Sequence, residues 1–376
     1  MYSKARSTTP FCANRPTHSR LVADRLPAGR ARDGPESTPD GARMPVRVIL
    51  DTDTGVDDAL AILLAMRSPE IRVEAITGVC GNTPLENCIR NIHLTLSVLD
   101  ARVTPVVAPG EDRPLVRELA YAGEIHGDDG LGGVTSQVDA DGRRTYPDPV
   151  QRPSTVHAAD LIPDLAGRYP GELVLVAVGP LTNVARAVMK DPDRMRGLRE
   201  IIIMGGAFET GGNVSPVAEF NIHADPHAAQ IVCDSGIPLV FVPLDVTRQA
   251  FLDAGTIDRF AVEAGARAAA GATAGTGSAR AVFVRDCTAR YVAFHRQNRG
   301  VNGCFLHDPL AVAVAAREDL VTTVPARVDV ETAGDLTTGM TVSDLRSDRW
   351  GEPNARVCTA VDVQAFTTLF EERVLA

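Results

Sequence analysis

Short apolar runs of strand length alternate with longer stretches of helical periodicity from residue 46 onward. The runs that predict strands are Val46–Leu50, Val73–Val79, Leu173–Val178, Glu200–Met204 and Pro238–Leu244. The stretches that predict helices are Asp57–Met66, Pro84–Leu99, Thr155–Arg168, Leu181–Lys190 and Ala224–Asp234. Apolar strands that alternate with helices are typical of a parallel sheet covered by helices on both faces. The sequence therefore predicts an α/β fold with a mostly parallel central sheet, and such sheets bind ligands at the carboxyl ends of their strands.

The rest of the chain adds two strand signals and one segment of low complexity. Strands are predicted at Ala326–Glu331 and Arg356–Val363. The small-residue segment at 264–278, AGARAAAGATAGTGS, predicts a mobile connection. No internal repeat and no linker divides residues 44–376, so these residues form one predicted domain.

Residues 1–43 differ from this pattern. They carry eight Lys or Arg residues against four Asp or Glu residues, are rich in Pro, Ser and Thr, and show no periodicity. The basic start is not followed by the apolar segment that a signal peptide requires. We expect a disordered N-terminal arm, or an upstream extension of a chain whose start is Met44.

Composition argues against several classes of function. The formal net charge of −10 makes a general nucleic-acid-binding surface improbable. No apolar run reaches the length of a membrane span. The seven cysteines are scattered and none forms a C-x-x-C pair, so neither a structural zinc site nor a disulfide framework is predicted. A reducing, cytoplasmic setting is the expectation.

Four aspartates fall within the eight residues DTDTGVDD, at the predicted junction between the first strand and the first helix: Asp51, Asp53, Asp57 and Asp58. A helix N-terminus can hold one or two of these carboxylates by capping and by its dipole. It cannot hold four, because two carboxylates about 5 Å apart repel by roughly 3 kcal/mol at an effective dielectric near 20. A bound hard cation such as calcium or magnesium removes this conflict, because these ions take carboxylate oxygens as ligands.

Two other kinds of site begin with a similar pattern. An EF-hand loop counted from Asp51 needs Gly at its sixth position and Glu at its twelfth, where this chain has Val56 and Ile62. A phosphotransferase of the haloacid dehalogenase kind also begins with a strand and D-x-D. It further needs a downstream lysine and a late acidic pair for magnesium, but Lys190 has no such pair after it. The first alternative fails, and the second predicts magnesium-dependent release of phosphate.

Four further segments carry polar residues with chemical potential. His307 and Asp308 lie in LHDPLAVAVAA (306–316), where Asp308 can also be explained as a helix N-cap before Pro309. Glu219 and Asn221 lie in AEFNIHADP (218–226) and have no such local explanation. The other two segments are glycine-rich: MGGAFETGGN (204–213), which ends in Asn213, and EIHGDDGLGG (124–133), which contains His126.

Together these segments resemble the inosine–uridine nucleoside hydrolases, a family of calcium-dependent enzymes that cut the N-glycosidic bond of ribonucleosides. The D-x-D-x-G-x-D-D signature of that family appears as DTDTGVDDALA. Its other blocks appear in order as GNTPLENCIRN, AGEIHGDDGLGG, GPLTNVARA, MGG…GN…AEFNIHADP, HDPLAVA and LTTGMTVSDLR. The resemblance runs from about Arg47 to the last predicted strand. It implies a Rossmann-like sheet, a calcium cofactor, a ribonucleoside as the small-molecule substrate and a homodimer or homotetramer.

The resemblance also implies roles for individual residues. The calcium ligands would be the side chains of Asp53, Asp58 and Asp308 and the main-chain carbonyl of Val178. The ribose partners would be Asp57, Asn82, Asn213, Glu219 and Asn221, and Asp51 would orient the loop. His126, His295 and His307 would approach the base. Trp350, the only tryptophan, lies outside these segments, so an aromatic sandwich built on tryptophan is not expected.

The implied reaction is hydrolysis to ribose and free base. A calcium-bound water would lose its proton to Asp53, and His307 would protonate or hydrogen-bond the departing base. A non-catalytic ribose or nucleoside sensor that kept the calcium site is the rival interpretation. Retention of both Asp53 and His307 argues against it.

Overall fold

The computed structural model describes residues 44–99, 104–119, 121–269, 276–344 and 351–376. Residues 1–43, for which an arm or extension is predicted, and Trp350 lie outside these ranges. Met44–Ala376 form one compact unit, so we treat this unit as the folded body of the chain.

A central sheet organises the folded body. Its strands lie in the order β3-β2-β1-β4-β5-β6-β12-β9, and only β9 runs antiparallel to its neighbour, β12. Two small antiparallel pairs, β7 with β8 and β10 with β11, lie outside this sheet. The strand bounds are β1 Val46–Thr52, β2 Ile71–Gly78, β3 Val106–Pro109, β4 Leu173–Ala177, β5 Glu200–Met204, β6 Leu239–Val242, β7 Phe251–Asp253, β8 Gly303–Phe305, β9 Val321–Ala326, β10 Val328–Val330, β11 Thr341–Ser343 and β12 Ala355–Val361.

Helices connect most of these strands. The α-helices are α1 Val56–Arg67, α2 Leu85–Ser97, α3 Gly123–His126, α4 Ala158–Arg168, α5 Thr182–Lys190, α6 Pro192–Met195, α7 Phe220–Ala224, α8 Pro226–Cys233, α9 Leu244–Thr247, α10 Ala254–Ala269, α11 Thr276–Arg299, α12 His307–Ala316 and α13 Val363–Phe370. Short 3-10 helices occur at Val134–Ser136 and Glu318–Leu320, and a π-helical turn occurs at Glu371–Leu375. No helix within the described ranges combines the length and the apolarity needed to cross a lipid bilayer.

Continuous apolar strands produce a hydrophobic core on each face of the sheet, because successive side chains of a strand point to opposite faces. In β1, Val48 and Leu50 pack into one core and Ile49 packs into the other. In β4, Val174 and Leu175 are divided in the same way. This burial on both faces explains why the strands read as apolar runs rather than as alternating ones.

The predicted α/β class with a mostly parallel sheet flanked by helices is confirmed, while several local predictions need correction. Residues 264–278 were expected to be a mobile connection, but α10 continues to Ala269 and α11 begins at Thr276, while residues 270–275 lie outside the described ranges. Alanine has the highest intrinsic helix propensity, which explains helix at both ends of this alanine-rich segment. The predicted strand Ala326–Glu331 is divided between the end of β9 and the separate strand β10.

Candidate active site

Four buried carboxylates lie at the carboxyl end of the sheet, and we call them the carboxylate floor: Asp53, Asp57, Asp58 and Asp308. Asp53 follows the last residue of β1, Asp57 and Asp58 occupy the first turn of α1, and Asp308 occupies the first turn of α12. Carboxylate oxygens of Asp57, Asp58 and Asp308 all lie within 4.8 Å of one another. The structure therefore brings the two distant acidic segments of the sequence together.

Hydrogen bonds hold two members of the carboxylate floor in place. Asp58 caps the start of α1, where its Oδ2 accepts the backbone N–H of Gly55 at 2.9 Å and its Oδ1 accepts the hydroxyl of Thr52 at 2.6 Å. The side-chain amide of Asn82 donates both to Asp58 Oδ2 at 3.0 Å and to Asp53 Oδ1 at 3.2 Å. The backbone N–H of Asn82 donates to the other oxygen of Asp53 at 2.5 Å. Asn82 therefore fixes two carboxylates whose charges repel each other.

The electrostatics of the carboxylate floor favour a bound cation. Burial raises the pKa of Asp53 and of Asp57 well above the usual value, and the neighbouring charge of Asp58 adds to the effect in both cases. Burial, followed by the charge of Asp57, raises the pKa of Asp308 in the same direction. No lysine or arginine in the described ranges forms an ion pair with any of these carboxylates. Buried oxygen ligands without a protein counter-charge fit a hard divalent cation.

Asp51, the first aspartate of the cluster, lies apart from the carboxylate floor. Its Oδ1 accepts hydrogen bonds from the hydroxyl of Thr77 on β2 and, at 2.8 Å, from the side-chain amide of Asn183 on α5. Asn183 also donates to the carbonyl of Gly78 at 2.9 Å. Burial raises the pKa of Asp51 to about 7. These contacts join β1, β2 and α5, consistent with the expected role of Asp51 in orienting the loop.

A cavity of about 410 Å³ opens above the carboxylate floor. Asp53 and Asp58 are fully buried and do not line it. The other ten residues that the sequence singled out as site residues all line this cavity: Asp57, Asn82, His126, Val178, Asn213, Glu219, Asn221, His295, His307 and Asp308. The volume is within the range of small-molecule sites.

One side of the cavity is built around Glu219 and Asn221. Both carboxylate oxygens of Glu219 accept backbone N–H groups, including those of Asn221 and Ile222, so Glu219 caps α7. This capping role was missed in the sequence, where Glu219 had no local structural explanation. The side-chain amide of Asn221 donates to the carbonyl of Val178 at 2.9 Å. Burial raises the pKa of Glu219 to about 7.

A series of contacting rings, which we call the ring wall, borders the cavity: His126, Tyr291, His295 and His307 line it, and Phe305 packs between the last two. Ring centroids lie 5.7 Å apart for His126 and Tyr291, and 4.4 Å apart for Tyr291 and His295. The series continues with 5.2 Å from His295 to Phe305 and 5.5 Å from Phe305 to His307, where the last two rings are stacked. Two of these pairs meet edge to face, at 89° for Tyr291 and His295 and 88° for His295 and Phe305. A partly polar, aromatic surface of this kind suits contact with a planar heterocycle.

Two of these histidines have defined hydrogen-bond partners. Nδ1 of His126 accepts the backbone N–H of Val56 at 3.0 Å, so the neutral ring carries its hydrogen on Nε2. Gly55 permits this approach, because a Cβ at that position would lie 2.6 Å from His126 Nδ1. Nδ1 of His307 lies 2.8 Å from the hydroxyl of Thr247. Burial lowers the pKa of His126 to about 4 and that of His307 to about 3, so both rings are neutral near pH 7 in the metal-free protein.

The first turn of α12 differs from the sequence-based alternative for Asp308. The helix begins at His307 after Leu306, and no side-chain hydrogen bond caps it. Asp308 is therefore inside the first helical turn rather than at the N-cap. Its carboxylate is directed to the other aspartates, which leaves the helix-capping explanation without support.

Several residues of the site were missed in the sequence. Tyr291 and Arg299 line the cavity together with His295, and the three side chains follow one another at four-residue intervals on α11. Residues at this spacing share one face of a helix, and this signal was available in YVAFHRQNR. Thr247 could not be found in this way, because it lies 60 positions from His307 in sequence.

Comparison with known proteins places this site in a family. Residues 48–368 match the family model described as inosine-uridine preferring nucleoside hydrolase. The chain is 38% identical over 332 residues to the pyrimidine-specific ribonucleoside hydrolase RihA of Citrobacter koseri, which covers 88% of this chain and 98% of that protein.

Solved structures agree with the sequence match. The purine-preferring ribonucleoside hydrolase from Gardnerella vaginalis superposes with a TM-score of 0.76 at 33% identity, over 87% of this chain and 98% of that one. A plant nucleoside hydrolase, PpNRh1, also gives a TM-score of 0.76, at 31% identity, over 88% of this chain and 99% of that one.

Proposed function

Because this chain belongs to the inosine–uridine preferring nucleoside hydrolase family, we propose that its cavity binds a ribonucleoside with the ribose over the carboxylate floor and the base against the ring wall. The chain is a glycosidase-type hydrolase that converts ribonucleosides to ribose and free base. The observation that carries the proposed orientation is the convergence of Asp57, Asp58 and Asp308 beside a cavity that three histidines also line.

The carboxylate floor would hold a calcium ion. Its ligands would be side-chain oxygens of Asp53, Asp58 and Asp308 with the carbonyl of Val178, and Asp57 lies close enough to contribute. Calcium accepts six to eight oxygen ligands with flexible geometry, which suits carboxylates drawn from three elements. When bound, such a cation acidifies a coordinated water and holds hydroxyl oxygens of a substrate.

Asp53 is the proposed general base. Its carboxylate is oriented by two hydrogen bonds from Asn82, and burial, followed by the neighbouring charge of Asp58, raises its pKa. It would accept a proton from the water that attacks the anomeric carbon, where positive charge develops as the bond to the base breaks. Asp57, Asn82, Asn213, Glu219 and Asn221 would bind the ribose hydroxyls and so align the sugar for attack.

His307 is the proposed hydrogen-bond or proton donor to the departing base. A poor leaving group such as hypoxanthine or uracil needs this donor, whereas nitrophenolate leaves as a stable anion. His307→Ala should therefore reduce hydrolysis of inosine and uridine far more than hydrolysis of nitrophenyl riboside. Equal losses on all substrates would refute the donor role. A small loss on nucleosides alone would transfer that role to His126 or His295.

Base preference is proposed from the relatives. A protein named as a pyrimidine-specific hydrolase is 38% identical to this chain, and a purine-preferring one is 33% identical. We therefore propose uridine and cytidine as better substrates than inosine or adenosine. Release of reducing sugar from the four nucleosides, assayed side by side with calcium, tests this order. Higher kcat/KM on inosine than on uridine would reverse it.

The same assay separates catalysis from binding alone. A ribose or nucleoside sensor would bind the panel without releasing sugar, and a phosphotransferase would release phosphate from phosphate esters with magnesium. The intact Asp53 and His307 support the hydrolase over both. Turnover that is lost in Asp53→Asn, while the protein stays folded, would exclude a contaminating enzyme as the source of the activity.

Three further properties are proposed for the protein in its setting. We expect nucleoside catabolism or purine and pyrimidine salvage in the cytoplasm, a homodimer or homotetramer, and an N-terminal region at 1–43 that catalysis does not require. The cysteines of the described ranges are free and buried, consistent with a reducing compartment. Light scattering tests the oligomer, and a chain that begins at Met44 should match the full chain in kcat/KM.

A further inference from the structure

Thr247 lies behind the ring wall at the end of α9, and it is fully buried. Its hydroxyl is 2.8 Å from Nδ1 of His307. This is the only hydrogen bond that its side chain makes within the described ranges, and Thr247 does not line the cavity. Contact between Thr247 and a substrate is therefore not available, whereas contact with His307 is direct.

The burial of Thr247 decides the direction of this hydrogen bond. A buried hydroxyl favours an acceptor for its hydrogen, because an unsatisfied buried donor costs about 1–3 kcal/mol. Nδ1 of His307 is the acceptor within reach. In a neutral imidazole only one nitrogen carries hydrogen, so an accepting Nδ1 places that hydrogen on Nε2. Nε2 of His307 has no partner within the described ranges.

Phe305 provides a second restraint on the same ring. Its ring stacks on His307 with a centroid distance of 5.5 Å and an interplanar angle of 30°. Stacking alone allows the imidazole to flip by a half-turn about its Cβ–Cγ bond, which exchanges the position of Nδ1 with that of Cδ2 and the position of Nε2 with that of Cε1. A hydrogen bond to one nitrogen removes that freedom, since only one orientation places Nδ1 against the hydroxyl.

We propose that Thr247 is a positioning residue, which holds His307 in the orientation and tautomer that present Nε2–H to the departing base. This inference rests on the donor role proposed for His307. Thr247 acts only through His307 and does not touch the substrate. Loss of Thr247 should therefore lower the rate for nucleosides, whose base needs a proton or hydrogen-bond donor to leave. It should not lower the rate for nitrophenyl riboside, whose leaving group needs no donor.

The test compares Thr247→Val, which keeps the shape and removes the hydroxyl, with Thr247→Ser, which keeps the hydroxyl. Thr247→Val should lower kcat on uridine by about 10- to 100-fold, a part of the 10²–10⁴-fold effect typical of a general acid. Hydrolysis of nitrophenyl riboside should change little, and Thr247→Ser should stay near the wild type on both substrates. If Thr247→Val folds poorly, Thr247→Ala should give the same contrast between substrates.

A matched control comes from Thr95 on α2, which is fully buried and has a hydroxyl without a hydrogen-bond partner in the described ranges. Thr95→Val should leave the rates on both substrates unchanged. In a His307→Ala background, Thr247→Val should cause no additional loss on uridine. Melting temperatures of all variants show whether any loss comes from unfolding.

The results that would contradict these expectations separate the role proposed for Thr247 from the role proposed for His307. Equal losses on the two substrates, or an additional loss in the His307→Ala background, would make Thr247 a general structural residue and refute the inference. A His307→Ala variant that loses equal activity on both substrates would refute the donor role of His307 and the dependent role of Thr247 with it. A selective loss in His307→Ala without one in Thr247→Val would refute the inference for Thr247 alone.

Discussion

Removal of the metal should destabilise the protein in a manner that depends on pH. Oxygens of Asp57, Asp58 and Asp308 lie within 4.8 Å of one another. Two unit charges at this distance repel by roughly 3.5 kcal/mol at an effective dielectric near 20, so three fully ionised carboxylates would repel by roughly 10 kcal/mol in total. This is comparable with the whole free energy of unfolding of a typical domain, about 5–15 kcal/mol. The metal-free protein must therefore take up protons here or lose stability.

The direction of the pH effect follows from the raised pKa values of Asp53, Asp57 and Asp308. A carboxyl group with a raised pKa binds more protons in the folded state than in the unfolded state. The free energy of unfolding of the metal-free protein therefore falls as the pH rises from the unfolded value near 4 toward the folded values. Calcium, the proposed metal, would replace those protons, so its stabilising effect should be larger at pH 8 than at pH 5.5.

Thermal unfolding with EDTA and with calcium measures this difference. Calcium at about 100 times its dissociation constant adds about 2.7 kcal/mol, which corresponds to roughly 4 °C in Tm for a protein of this size. Asp308→Asn removes one charge, so at pH 8 its metal-free form should melt above the metal-free wild type, yet gain little from calcium. Asp286→Asn removes a carboxylate outside the site and should not show this reversal.

Three results would refute the reasoning. The first is a melting temperature that EDTA leaves unchanged at every pH. The second is full activity after chelation, when elemental analysis finds no metal. The third is a rise in Tm when calcium is added to EDTA-treated Asp308→Asn that is as large as the rise in the wild type, because the variant lacks one of the proposed ligands.

The remaining predictions concern single residues. Asp53→Asn should lower kcat on nucleosides by roughly 10²–10⁴-fold with an unchanged circular dichroism spectrum, and near-normal turnover would assign water activation to another group. Gly55→Ala should displace His126, since the new Cβ would lie 2.6 Å from its Nδ1. We expect a lower kcat/KM on uridine. Unaltered kinetics would show that the ring can move without an effect on catalysis. Arg373→Met should lower the free energy of unfolding by at most about 1 kcal/mol, because Arg373 pairs with the partly exposed Glu70 and lowers its pKa. That loss should be present above the ordinary pKa of glutamate and disappear as the pH falls through the lowered value, and urea titrations at pH 7 and pH 3 measure it.

The sequence predicted the centre of the fold better than its edges. The strand Glu200–Met204 has the same bounds in the structure as in the prediction, because a fully buried strand is a short apolar run with polar residues on both sides. The edge strand β3 was missed, since Val106–Pro109 is only four residues long and ends in proline. The helical ends of 264–278 were also missed, because glycine and alanine were counted together although their helix propensities are opposite.

The carboxylate part of the candidate site was predictable, because the sequence contains more aspartates at the start of α1 than helix capping explains. Four aspartates in eight residues violate ordinary helix-capping chemistry, and such local conflicts mark functional sites. Glu219 shows the limit of this reasoning, because its N-capping contacts become evident only once α7 is known. Thr247 shows a different limit, since a single buried hydroxyl has no pattern and its partner is distant in sequence.

The carboxylate floor and most of the ring wall are built by different parts of the fold, and this difference has a consequence for specificity. The carboxylate floor is fixed by β1, the first turn of α1 and α12, which pack within the central core. The ring wall takes most of its rings from α3, α11 and the small β7–β8 pair, outside the central sheet. With the base against the ring wall, as proposed, a substitution on α11 would alter contact with the base without disturbing the strands that hold the aspartates. Such an arrangement would allow relatives of one fold to differ in the base, as the names of a pyrimidine-specific and a purine-preferring relative do.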